Sequence, residues 1–158
     1  MTRKRLHGTL FCVGLIAAAA LAVAADAAAS GEEKPYSVGA DGKVDWYTFS
    51  GFRRYHAECH VCHGPDGLGS SFGPALAESL KTLSYDEFLD IVVNGRETVS
   101  TVGFKKMPAF GENRNVMCFV DDIYAYLKAR SDGAIGRGRP ENEPKPAEVA
   151  ARDSACLG

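Results

Sequence analysis

The chain has 158 residues, 46% of them hydrophobic and 24% charged, with 18 Lys and Arg set against 20 Asp and Glu for a formal charge of −2. Such a length allows one small domain. The charge balance excludes nucleic acid or an anionic membrane surface as the main target.

Arg3, Lys4 and Arg5 precede an apolar, alanine-rich stretch at 10–25, and small residues follow at Ala22-Val23-Ala24, Val23-Ala24-Ala25 and Ala27-Ala28-Ala29. The pattern predicts an export signal over 1–25, with a cut as late as 29 as the alternative. A retained anchor is the competing reading, but the run is short for a span and alanine is weakly hydrophobic. No stable membrane insertion is therefore expected after cleavage. His7 and Cys12 leave with the leader, and Thr9-Leu10-Phe11 does not read as a lipoprotein processing site. Without Arg3, Lys4 and Arg5, 15 basic residues face 20 acidic ones, a formal charge of −5. Residues 26–44 form a polar segment with no apolar period.

Asp45 is placed to cap a first helix that runs into Cys59-His60-Val61-Cys62-His63. Along it Gly51, Tyr55 and Cys59 recur four residues apart and share one stripe. C-x-x-C-H is the requirement for covalent haem: each cysteine can form a thioether to one vinyl group, and the histidine then lies under the iron. Zinc is the competitor, since a C-x-x-C pair also suits a tetrahedral site, but Cys118 and Cys156 form no second close pair. The expectation is one covalently bound haem c, held by Cys59 and Cys62 with His63 on the iron. Bacterial haem of this kind is attached outside the cytoplasm, so motif and leader agree on the periplasm.

Ser84 and Glu87 form a capping box for a second helix that ends at Asn94-Gly95, with Phe88, Ile91 and Val92 on its apolar side. Residues 96–113 read as a long, ordered, Gly-punctuated loop, and such loops are usually functional. A last helix is expected over about 115–130, with Val116, Phe119, Val120, Ile123 and Leu127 at helical spacing. Beyond Ser131 the composition shifts to Gly, Pro, Glu and Lys, and Pro140, Pro144 and Pro146 oppose a long helix. No alternating run supports a sheet, and no second C-x-x-C-H occurs. The predicted class is all-α: one domain at 45–130 with an extension at 131–158. A domain this small is marginal on side chains alone, and a buried haem gives it an apolar body to pack around.

From about 45 to 130 the chain resembles a class I cytochrome c. Gly51 and Tyr55 match the glycine and the aromatic residue that precede the first haem cysteine in that family. Ile123-Tyr124-Ala125-Tyr126-Leu127-Lys128 is similar to its closing helix, against which the glycine lets the first helix cross closely. Gly73-Pro74-Ala75-Leu76 looks like the loop after the haem motif. The resemblance implies that the Pro74 carbonyl accepts from the free ring N–H of His63, fixing the imidazole.

For the sixth iron position, His56 and His60 are tied to the same side of the ring as His63, and no distant histidine remains. Met117 lies early in the apolar pattern of the last helix. Met107, in Lys105-Lys106-Met107-Pro108, sits in the long loop and also resembles the distal ligand of the family. Met107 is the expected axial thioether; a packed surface methionine or an open iron are the alternatives. Thioether ligation suits electron transfer rather than chemistry on a small molecule. Lys105 and Lys106 are candidates for docking a redox partner, with a merely solvated pair as the bland reading.

Cys118 and Cys156 are left over in an exported chain, where spare thiols are expected to pair. Free thiols or pairing between chains are the alternatives. Cys118 shares a stripe with Asp122, Ala125 and Ala129, read as the more polar flank of the last helix. This four-cysteine arrangement, with Gly136-Arg137-Gly138-Arg139-Pro140, resembles the cytochromes associated with methanol metabolism in methylotrophic bacteria. The resemblance implies a PQQ-dependent methanol dehydrogenase of the lanthanide type as electron donor, and a terminal oxidase or another cytochrome c as acceptor. A general donor to a terminal oxidase is the alternative. A haem enzyme or gas sensor is the other class of reading, and it needs an open iron.

Overall fold

The computed structural model describes residues 34–100 and 103–158; the predicted leader, with His7 and Cys12, lies outside them. Helix α1 runs Trp46–Glu58. It starts there because Asp45 is extended and its carboxylate accepts the Thr48 N–H at 2.9 Å, satisfying a donor that the first turn leaves open. A single turn, α2 (His60–His63), carries the second half of the cysteine motif. A 3-10 turn at Pro65–Gly67 and the short α3 (Leu76–Ser79) follow. Helix α4 (Tyr85–Asn94) begins with the expected Ser84–Glu87 capping box and stops at Gly95.

The all-α class stands, but the stretch 96–113, read as a long loop with no sheet, needs correction. It contains an antiparallel hairpin, β1 (Arg96–Ser100) and β2 (Gly103–Met107), in a register that pairs Arg96 with Met107, Glu97 with Lys106, Thr98 with Lys105 and Val99 with Phe104. Neither strand buries a face against the core, so the alternation that would have marked them is lost among lysines and threonine. Helices nonetheless supply the core.

The expected last helix is broken into α5 (Arg114–Met117) and α6 (Val120–Ser131), with Cys118 and Phe119 between them. Phe119 leaves helical geometry and is 1% exposed, its ring lying 3.6 Å beneath the Arg54 guanidinium. All five residues of the expected apolar face, Val116, Phe119, Val120, Ile123 and Leu127, are buried. The prolines of the extension delay a helix rather than prevent one. Pro146, extended, stands at the N-cap of α7 (Ala147–Leu157), a place where a missing N–H costs little.

The core lies where α1 crosses α6, around Phe49, Tyr55, Ile123, Tyr126 and Leu127. The polar segment before α1 and the extension meet there: the fully buried Val44 donates its N–H to Glu141 at 2.9 Å and accepts from Glu143 at 2.8 Å. Helix α7 is fastened to the break between α5 and α6 by a Cys118–Cys156 disulfide, Cα atoms 5.7 Å apart. Arg152 adds a two-pronged pair to Asp122, both N–O distances 3.0 Å. Asp122, Ala125 and Ala129 are buried, not the polar flank the sequence pattern implied. No helix among the described residues is long and apolar enough to cross a membrane.

Candidate haem site

Cys59 occupies the junction where α1 ends, its N–H donating to the Tyr55 carbonyl at 2.8 Å. The next turn presents Cys62 and His63. Both cysteines are unpaired; Cys62 is exposed and Cys59 is half-buried. Burial pushes the Cys59 thiol up to about 12. Cys118 and Cys156 are consumed in the disulfide, so the zinc reading lacks donors. Among the described residues no cluster of three or more His, Cys, Asp or Glu is arranged to hold a metal ion by itself.

His63 is buried, with Nδ1 3.0 Å from the Pro74 carbonyl oxygen. With Nδ1–H donating to that carbonyl, Nε2 is left free to hold an iron, and the ring orientation is fixed. The approach needs a glycine beside it, since a Cβ on Gly73 would stand 2.9 Å from His63 Nδ1. Tyr55 clamps the same turn from below. Its hydroxyl donates to the Gly64 carbonyl at 2.5 Å, lies 3.2 Å from the His63 carbonyl, and accepts the Gly67 N–H at 3.1 Å. Burial raises its pKa. The sequence pattern showed Tyr55 only as an aromatic on the stripe; nothing in it marked the hydroxyl as a clamp.

Cys59, Cys62, His63, Pro74, Lys105, Lys106 and Met107 all line one cavity of about 1110 Å³. Its walls are otherwise mostly apolar, with Leu76, Phe88, Val92, Val120, Ile123 and Leu127 contributed by α3, α4 and α6. Met107 enters at the end of β2, while Met117 closes α5, packs on the core and does not line the cavity. His56 and His60 do not line it either. His56 Nδ1 lies 2.8 Å from the Phe52 carbonyl, and its ring stacks on His60 with centroids 5.7 Å apart. Two thiols spaced for vinyl attachment, a buried and oriented imidazole and a large apolar chamber fit a covalently attached haem. When bound, it supplies an iron that holds or releases one electron. The protein's part is to anchor the ring, orient His63 and exclude water from one face.

Asp66 is the residue that sequence reasoning missed most completely. It sits in the turn after the motif with φ 59° and accepts from Gly138 N–H at 3.0 Å and Arg137 Nε at 3.2 Å. Burial pushes its carboxyl upward, but these bonds outweigh it and hold the pKa below the ordinary value. Pro65-Asp66-Gly67 has the composition of any surface turn, so only the fold shows that the extension grips it.

Fold and site define a class I cytochrome with a single covalently bound haem c. The chain belongs to the c-type cytochromes, in the family described as cytochrome C oxidase, cbb3-type, subunit III, whose model matches residues 49–127. It is 53% identical over 123 residues to cytochrome c-553I of Paracoccus denitrificans, a match that covers 77% of this chain and 54% of that protein. It therefore spans about half the length of that relative. Identity to cytochrome c-555 of Methylococcus capsulatus is 41% over 99 residues, covering 62% of this chain and 74% of that one. The crystal structure of the c-type cytochrome XoxG from Methylobacterium extorquens AM1 is similar with a TM-score of 0.65 and 48% identity, covering 80% of this chain and 84% of that chain.

Proposed function

We propose that this chain is a periplasmic carrier of single electrons that accepts them from a PQQ-dependent methanol dehydrogenase of the lanthanide type and passes them to a terminal oxidase or another cytochrome c. The observation that carries the reading is that one apolar cavity is lined by His63 from α2 and by Met107 from β2, with no second histidine in its wall among the described residues. In this reading both residues ligate the iron, which leaves no open position for a small molecule and keeps the haem an electron relay. An enzyme or gas sensor would want a distal acid–base group, and Glu58, beside Cys59, is the only carboxylate in the lining among the described residues.

The similarity to XoxG and cytochrome c-553I supports a place in methanol oxidation. The export signal expected over 1–25 supports the periplasm. Lys105 and Lys106 are exposed at the cavity mouth and give an otherwise acidic protein a positive rim against which a partner can dock. Stopped-flow mixing of the oxidised cytochrome with reduced, lanthanide-loaded methanol dehydrogenase tests the assignment. Reduction within the turnover time of the dehydrogenase is expected. Reduction by other cytochromes but not by the dehydrogenase would make the protein a general oxidase donor.

A further inference from the structure

The β1–β2 hairpin has a sidedness that the electron-carrier reading does not use. In an antiparallel ladder, paired residues point to one face, and residues two apart along a strand share it. The observed register therefore places Arg96, Thr98, Lys105 and Met107 together on one face, and Glu97, Val99, Phe104 and Lys106 on the other. The Glu97–Lys106 ion pair at 2.8 Å confirms the second set. All four residues of the first face line the haem cavity, whereas of the second face only Phe104 and Lys106 do among the described residues.

The charged groups in that lining are Glu58, Arg96, Lys105 and Lys106. The acid stands next to Cys59, and every cation stands on the hairpin. Lys106 is already paired to Glu97, whereas Arg96 and Lys105 have no carboxylate partner among the described residues. A haem c attached through its vinyl edge still carries two carboxylates on the edge away from the thioethers. Two anionic groups entering a mostly apolar chamber need cationic or hydrogen-bonding partners, or their desolvation would oppose binding.

We propose that the Met107-bearing face of the hairpin is the propionate seat of this protein, with Arg96 and Lys105 pairing the haem carboxylates and the Thr98 hydroxyl donating between them. The guanidinium fork of Arg96 suits two-pronged carboxylate recognition, and Lys105 acts as a point charge. The hairpin thus joins the iron ligand and the haem carboxylates in one two-stranded unit. Lys105 serves both the seat and the docking rim, and Lys106, on the opposite face, separates the two roles. The proposal rests on the haem reading but does not require Met107 to be the ligand.

The test uses holoprotein matured in the periplasm: the parent, Arg96→Gln, Arg96→Lys, Lys105→Gln and Lys106→Gln. Haem content by pyridine haemochrome comes first; a parent without covalent haem would overturn the haem reading itself. The reduction potential is then measured by titration at high salt, where exposed, unpaired charges are screened. Carboxylate bands are read from the ferric-minus-ferrous infrared difference spectrum. Arg96→Gln and Lys105→Gln should each raise the ferric-to-ferrous ratio about ten-fold at fixed potential, because a cation that opposed the ferric charge is gone. Both should also move a propionate band. Arg96→Lys should hold the parent values, and Lys106→Gln, which removes a cation already paired to Glu97, should move the ratio less than Lys105→Gln does. If Arg96→Gln does not mature, the Lys105→Gln measurement decides alone. Parent potential and an unmoved carboxylate band in the matured glutamine variants would overturn the proposal while leaving the haem assignment intact.

Discussion

A Cβ on Gly51 would lie 1.8 Å from the carbonyl oxygen of Asp122 and 2.9 Å from Tyr126 Cβ. The crossing of α1 over α6 is therefore backbone against backbone, and it holds Cys59, at the far end of α1, against the rest of the haem chamber. Neither contact can yield cheaply, because one is main chain and the other sits on a fully buried residue.

Gly51→Ala should separate the two helices and destabilise the protein by about 3 kcal/mol, at the upper end of the overpacking range. Chemical denaturation of the holoprotein followed by far-UV circular dichroism measures it. A variant as stable as the parent would show that the crossing is looser than described.

Reduction of Cys118–Cys156 should also destabilise. A 38-residue separation corresponds to about 4 kcal/mol in the chain-entropy model of disulfides. The haem spectrum should change little, since neither cysteine lines the cavity. Cys118→Ser with Cys156→Ser, melted alongside the parent, gives the comparison. A shifted haem spectrum with unchanged melting would reverse the assignment of roles.

Asp66 predicts a pH dependence. Its folded pKa lies below the ordinary 3.8 despite burial, because Gly138, Arg137 and Arg130 favour the charged form. A depressed carboxylate contributes stability above its unfolded pKa and loses it as pH falls through the folded value. Asp66→Asn should therefore be less stable than the parent at neutral pH, and the gap should close as pH falls through the lowered folded pKa of Asp66. Asp122 works in the opposite sense. Burial raises its pKa even with Arg152 alongside, so its contribution grows on acidification and cannot mimic the Asp66 signature. Equilibrium unfolding of both proteins across acid pH decides the point.

Much of this was legible before any fold was known. The thioether motif and the Asp45 and Ser84 caps are local signals, fixed by chemistry over a few residues, whereas the crossing role of Gly51 was legible only through the resemblance to class I cytochromes c. The hairpin was not legible, because strands without a buried face carry no alternation, and Lys105-Lys106 looks like loop. The path of the extension was equally hidden. Its contacts, Arg152 with Asp122 and Gly138 with Asp66, join residues far apart in sequence whose types are common at any surface.

Docking at the lysine rim makes a kinetic prediction. Lys105→Glu combined with Lys106→Glu should slow reduction by the methanol dehydrogenase at low salt, and the difference should shrink as salt rises. Lys106→Glu alone should retain part of the effect. Equal rates for parent and double variant at low salt would remove the hairpin from the docking surface.

The central claim is that His63 and Met107 close the iron to everything but electrons. The far-red sulfur-to-iron charge-transfer band of the oxidised holoprotein tests it most directly. The account predicts that the parent shows the band, that Met117→Ala keeps it, and that Met107→Ala loses it while its reduction potential falls. A band that survives Met107→Ala, or vanishes with Met117→Ala, would contradict it.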